Sequence, residues 1–174
     1  LAYHNNQLYI TNGQILKVIS LDTQQFYNII LPLNDDITGD LPFLHITDME
    51  INTEGLVYFT GQVLLNKDSV GCYLASYNIA THELIVNYAK EWTWMCCSML
   101  NNPGIFISNE GYLYLAGFYN MNIEVYNKNG DFIIDCDTKT PKFKETRPID
   151  IVYCHDKIFV ADSFNNMIHV FKQS

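Results

Sequence analysis

Residues 158–171 read IFVADSFNNMIHVF. An apolar run meets a polar knot of Asp162, Ser163, Asn165 and Asn166, and an alternating run, MIHVF, follows it. Asp and Asn side chains accept hydrogen bonds from nearby backbone N–H groups and tolerate left-handed backbone. A knot of this kind between two apolar runs therefore reads as a tight turn joining two strands.

The same punctuation recurs along the chain. QLYITNG (7–13), GLVYFTG (55–61), GYLYLAG (111–117) and KIFVADS (157–163) each close an apolar core with a small or turn-forming residue. Their rings at Tyr9, Tyr58, Tyr114 and Phe159 lie 49, 56 and 45 residues apart, near the roughly 40–50-residue period of a propeller blade. Upstream of the last three lie HITDMEIN, NPGIFISN and RPIDIVYC, each joined by a short turn. Downstream come ILKVISLD, CYLASYNI, NIEVYNKN and MIHVFKQS, and in three units a fourth segment, QFYNIILP, HELIVNYA or GDFIIDCD. With LAYHN at the start this makes about fifteen strands. The expected class is all-β: one β-propeller domain of about four antiparallel meanders, at approximately 1–32, 45–89, 95–137 and 147–174. A second strand sandwiched between neighbouring sheets has no solvent face, which explains why LYI, VYF, YLYLA and IFVA do not alternate. IEVY and IHVF do alternate, which places Glu124 and His169 on the less covered side. Gly or Asn-Gly breaks recur too often for amphipathic helices.

Composition agrees and narrows the function classes. The chain has 174 residues, of which 48% are hydrophobic and 14% aromatic, a profile suited to pleated, half-buried surfaces. The longest uncharged apolar-rich run, LVYFTGQVLL (56–65), is about half of what a spanning helix needs, so no membrane segment is expected. A net charge of −9 and a single Arg, Arg147, argue against an extended phosphate-binding surface. Cysteines at 72, 96, 97, 136 and 154 have neither C-x-x-C spacing nor an even count, which points to reduced, buried thiols. No Asn sits in an N-x-[ST] acceptor, and with the thiols this favours a cytoplasmic location. The chain opens without Met or a basic leader, as a processed chain or a piece of a longer one does. No G-x-S-x-G, P-loop or Cys/His nucleophile motif is present.

Pro148, Ile151, Val160, Ala161, Asp162, Ser163, Asn165, Asn166, Ile168, Val170 and Phe171 together resemble the signature of NHL-repeat β-propellers. The segment YLYLAGFYNMNIEVYNKNGDFI repeats it loosely, with Gly117 in place of the Asp, whereas residues 1–90 are degenerate. Met167 stands where a basic residue is common in that family. The resemblance implies that second-to-third-strand hairpins and sheet-to-sheet connections share one face. That face would carry 33–45, 61–71, 90–95, 117–122, 138–147 and 162–167, and with them Trp92, Trp94, Tyr119, Phe143, Phe164 and Asn165 as binding residues. Lys139, Lys142, Lys144 and Arg147 form a local basic stretch opposite the acidic Asp35, Asp36 and Asp40.

Three functions follow as expectations. The first is a non-catalytic protein or peptide interaction platform with no cofactor. The second is a metal-dependent lactonase or lyase, since propellers of related sequence hold calcium or zinc in the central channel. Its ligands would come from His45, Asp48, Asp150 and His155, with His4 and Glu50 nearby. The third is single-stranded RNA binding, which the net charge disfavours. Relatives close with six blades, so the four units are expected to form one arc of a ring that further blades or another chain complete.

Overall fold

The computed structural model describes residues 1–12, 15–31, 43–66, 69–91, 104–117, 122–136, 146–155 and 157–172. These residues form fifteen strands and, among them, no helix. The strands divide between two compact units, Leu1–Thr93 and Trp94–Ser174.

The first unit holds two four-stranded antiparallel sheets. One comprises β1 (Ala2–His4), β2 (Gln7–Asn12), β3 (Ile15–Ser20) and β4 (Phe26–Ile30); the other comprises β5 (Phe43–Ile51), β6 (Leu56–Asn66), β7 (Ser69–Asn78) and β8 (Leu84–Glu91). The second unit holds β9 (Gly104–Ile107), β10 (Leu113–Ala116), β11 (Ile123–Tyr126) and β12 (Phe132–Cys136) in one sheet, and β13 (Pro148–Cys154), β14 (Lys157–Asp162) and β15 (Met167–Lys172) in another. Within every sheet the spatial order is the sequence order. Each sheet is thus a meander, whose connections are short hairpins.

Turn chemistry sets the registers. Asn5 and Asn6 both have positive φ, the requirement of a two-residue type I′ hairpin, and they join His4 to Gln7. Asn52 Oδ1 accepts the N–H groups of Glu54 and Leu56, and Gly55 closes that turn at φ 80°. Asn127 does the same for Asn129 and Asp131, with Gly130 at φ 83°. An Asx acceptor at the start and a left-handed residue at the end make a closed four-residue loop.

Burial then pairs the sheets. In the first unit Ala2, Tyr9, Leu16, Val18 and Ile29 pack against Ile46, Met49, Val57, Phe59, Tyr73, Ala75 and Tyr77. Leu16/Val18, Val57/Phe59 and Tyr73/Ala75/Tyr77 are i, i+2 sets, the stripe that one face of a strand presents. Each such aliphatic or aromatic side chain contributes about 1.5–3 kcal/mol when it leaves water. In the second unit Ala116, Ile123, Ile151 and Val160 form the smaller core, flanked by Phe106, Tyr114, Ile158 and Phe171. Contacts between the paired sheets run through their early strands, β1 and β2 against β5, and β9 and β10 against β13.

Four expectations are corrected. GQVLLNKDSVG (61–71), expected as a loop, lies for most of its length in strand: β6 and β7 pair from Leu56↔Asn78 out to Asn66↔Ser69. Glu124 is buried, 4% exposed, because Tyr126 Oη donates to its carboxylate at 2.6 Å and β11 is covered on both faces. In β15 the exposed residues are Ile168 and Val170, while His169 turns inward to Asp162. Cys136 and Cys154 are free, as expected, but exposed rather than buried.

Close approach of backbones in the second unit imposes two glycines. A Cβ at Gly104 would fall 2.6 Å from the Asp150 Cα, and one at Gly117, whose φ is +72°, would fall 2.0 Å from the Pro148 carbonyl oxygen. Gly117→Ala is therefore expected to cost about 3 kcal/mol or more, combining left-handed strain with a backbone clash. Gly55→Ala, with the same φ sign but only an ordinary 3.7 Å contact to His4, is expected to cost about 1 kcal/mol. Urea denaturation of the two variants checks the difference.

Candidate functional site

The hairpin between β14 and β15 is organised around one carboxylate. Asp162 ends β14 and is 2% exposed. Its Oδ1 accepts the backbone N–H groups of Arg147, Phe164 and Asn165 at 3.0, 3.0 and 3.2 Å. Its Oδ2 accepts from Asn165 Nδ2 at 2.7 Å and His169 Nε2 at 2.8 Å. Burial pushes the Asp162 carboxyl up, but the bonds from the Asn165 side chain, the Arg147 N–H and His169 outweigh it and hold the group well below the usual carboxylate range. Ser163 adds a second clip, donating its N–H at 3.0 Å and its Oγ at 3.3 Å to the Arg147 carbonyl. The turn is thereby fastened to the residue that leads into β13. Asn166 takes φ 53°, a conformation Asn accepts at small cost.

What this rigid turn displays is Phe164, 55% exposed. Asn165 is engaged within the turn through both its N–H and its amide. Trp92, Trp94, Tyr119 and Phe143 lie outside the described residues. Sequence reading identified the turn but missed its connection to Arg147 and to His169; the hairpin register, which pairs Val160 with His169, was the available signal.

The carboxylates of the first strands have local partners. Asp48 and Asp150 each follow a register shift, between Ile46 and Asp48 and between Pro148 and Asp150. Each accepts the N–H of the next residue, Met49 at 2.9 Å and Ile151 at 2.8 Å. Glu50 lies two residues beyond Asp48 on the same side of β5. Burial first, and Asp48 second, push its carboxyl up to about 6.

The histidines sit elsewhere. His155 occupies the β13–β14 turn at φ 50°, with Nδ1 2.9 Å from Cys154 Sγ, about 15 Å along the strand from Asp150. His4 sits beside the turn glycine Gly55, in the hairpin that follows β5. The side chain of His45 is outside the described residues. Among the described residues, no group of three or more His, Cys, Asp and Glu side chains gathers to hold a metal.

Two stability measurements follow. Asp162→Ala leaves several buried donors without an acceptor and is expected to lose about 3 kcal/mol, whereas Phe164→Ala stays within about 0.5 kcal/mol. The native pKa of Asp162 is depressed, so its contribution is present at neutral pH and is lost as pH falls below the ordinary value of 3.8. Glu50 has the opposite sign. Its raised pKa means that the neutral form is favoured, fully below 4.5, and that the advantage disappears as pH rises through about 6. Glu50→Gln is expected to stabilise the chain at pH 7.5 by about 1 kcal/mol, after screening of a partly exposed group, or about 2–4 °C in Tm. The gain should vanish at pH 4, as thermal melts across that range would show.

No family model and no curated protein matches the chain. Solved structures do. The β-propeller domain of Nup133 from Vanderwaltozyma polyspora aligns over 94% of this chain and 51% of its own, at 15% identity and TM-score 0.54. A protein of unknown function from Bacteroides caccae aligns over 98% and 59%, at 12% identity and TM-score 0.49. A streptogramin B lyase aligns over 97% and 65%, at 15% identity and TM-score 0.45. The chain spans about half to two thirds of the length of these three structures. With its sequence-ordered antiparallel meanders and its likeness to the Nup133 domain, the chain has a β-propeller fold.

Proposed function

We propose that the chain is a non-catalytic interaction platform that binds a protein or peptide partner across the face bearing the β14–β15 hairpin. The observation that carries this reading is Phe164: a large aromatic side chain left 55% exposed on a turn that five hydrogen bonds to a buried carboxylate hold rigid. Aromatic anchors on rigid loops lose little conformational entropy on binding, which is why they dominate hot spots. In NHL-type propellers the second-to-third-strand hairpins and the sheet-to-sheet connections share this face, and by sequence those segments carry Trp92, Trp94, Tyr119 and Phe143. The exposed thiols of Cys136 and Cys154 fit a reducing, cytoplasmic setting.

One observation favours a second reading, a calcium- or zinc-dependent lactonase- or lyase-type enzyme. Glu50, with its raised pKa beside Asp48, is the kind of perturbed carboxylate that catalytic sites use. The separation of His155 from Asp150 weighs against it, and burial is the largest cause of the Glu50 shift. Stoichiometric calcium or zinc in the purified protein would reverse this preference. RNA binding ranks third, given the −9 charge and the single Arg.

Trp92→Ala, Trp94→Ala and Phe164→Ala are each expected to reduce recovery of bound protein in quantitative affinity purification by about tenfold or more, while Asp35→Asn and Asp36→Asn change it little. Aggregation of both Trp variants, together with unchanged recovery by Phe164→Ala, would assign the rings to the core and remove the platform reading.

A further inference from the structure

At the opposite end of β14 from that hairpin, the second unit contains a cleft of about 40 Å³ between its two sheets, open to solvent. Phe106, Tyr114, Tyr153 and Ile158 line its walls, and Ser108, Asn109 and Glu110 line its mouth. The walls are a consequence of register. Tyr114 pairs with Phe106 across β9 and β10, and Tyr153 pairs with Ile158 across β13 and β14, so each pair shares one face of its sheet. Packing of β9 and β10 on β13 then brings the two pairs together.

Phe106 is the middle ring. Its centroid is 6.1 Å from Tyr114 at an interplanar angle of 43°, and 6.0 Å from Tyr153 at 31°. Tilted contacts of this kind leave part of each ring face uncovered by its neighbour, and all three rings are only half-buried. The negative face of an aromatic ring attracts cations. A carboxylate stands at the same opening: Glu110 is exposed, lines the cleft and presses its charge on Tyr114, whose hydroxyl is pushed up by burial and then by Glu110. Lys128 and Lys157 belong to this end of the unit, through the Gly111 turn and the β13–β14 turn, but neither lines the cleft.

We infer that this cleft binds an alkylammonium head group, with Phe106, Tyr114 and Tyr153 supplying ring surface and Glu110 the counter-charge. The size restricts the ligand, since about 40 Å³ holds roughly three water-sized groups. A methylated ammonium, whose methyl groups are each about water-sized, suits an opening of this scale, with its chain leaving through the mouth. The chain carries −9 overall, which favours cationic ligands at long range as well. The inference is independent of the platform reading, because its residues lie at the other end of β14 and on the strands packed beside it.

The test titrates the full chain with N-acetyl-Nε-trimethyllysine methylamide, followed by NMR shifts of aromatic side chains. Saturable binding centred on Phe106, Tyr114 and Tyr153 is expected. The isostere in which carbon replaces the quaternary nitrogen should bind about tenfold more weakly. Glu110→Gln, an exposed change that leaves the fold intact, should weaken binding about three- to tenfold, and Phe106→Leu by a similar factor. Choline as a second probe separates the sources: equal affinity indicates a free small amine, and a clear preference for the lysine derivative indicates a modified side chain of a partner protein. Absence of saturable shifts, equal binding of the neutral isostere, or unchanged affinity in Glu110→Gln would each overturn the inference.

Discussion

In the second unit the early strands of the two sheets approach so closely that side chains are excluded at the tightest points, and much else in that unit answers to this constraint. A meander satisfies its backbone hydrogen bonds internally, so its attachment to a neighbour rests on buried side chains and on how near the backbones come. Gly104 lies against Asp150 and Gly117 against the Pro148 carbonyl, at distances no Cβ permits. Farther along each meander the sheets have less to cover them. Phe26, Tyr27 and Ile30 of β4 are exposed, and so are Phe132, Ile133 and Ile134 of β12. Lys17 partly shields Phe26, with its Nζ 4.1 Å from the ring centroid.

Turns then decide what each end of a sheet offers. Most of them solve a backbone problem and nothing more: Asn52, Asn78 and Asn127 each accept N–H groups of their own loop. Asp162 differs in reaching outside its loop, to Arg147 and His169. A carboxylate that accepts this many bonds stays ionised although it is buried, and its field makes every donor around it costly to remove. Rigidity at that hairpin is therefore electrostatic in origin, and the ring it holds out to solvent inherits that rigidity.

The other end of the second unit has a different chemistry. The cleft of Phe106, Tyr114 and Tyr153 is aromatic and rimmed by a carboxylate, and Cys154 with His155 forms an exposed thiol–imidazole contact one residue beyond Tyr153. Opposite ends of one pair of sheets thus present an anchored projection and a concave recess. Strands of four to seven residues separate them by enough distance for the two to act independently.

The architecture was legible in the sequence because it is written in local signals. Apolar runs of strand length, Asx and Gly turns at the hairpins and a period near that of a propeller blade are consequences of backbone chemistry within one meander, and all fifteen strands were readable from them. The role of Asp162 in its turn was readable for the same reason. What tertiary structure alone decided are the features that depend on how strands close on one another and on what covers them. Burial of Glu124 requires Tyr126 to reach its carboxylate and both faces of β11 to be covered. The inward turn of His169 requires the hairpin to close on Asp162, and the raised pKa of Glu50 requires its burial in the folded chain. The separation of His155 from Asp150 follows from strand direction, since residues five apart on a strand stand at its opposite ends however close they look in sequence. The aromatic cleft has no sequence signature, because Phe106 and Tyr153 are 47 positions apart and meet only where two sheets pack.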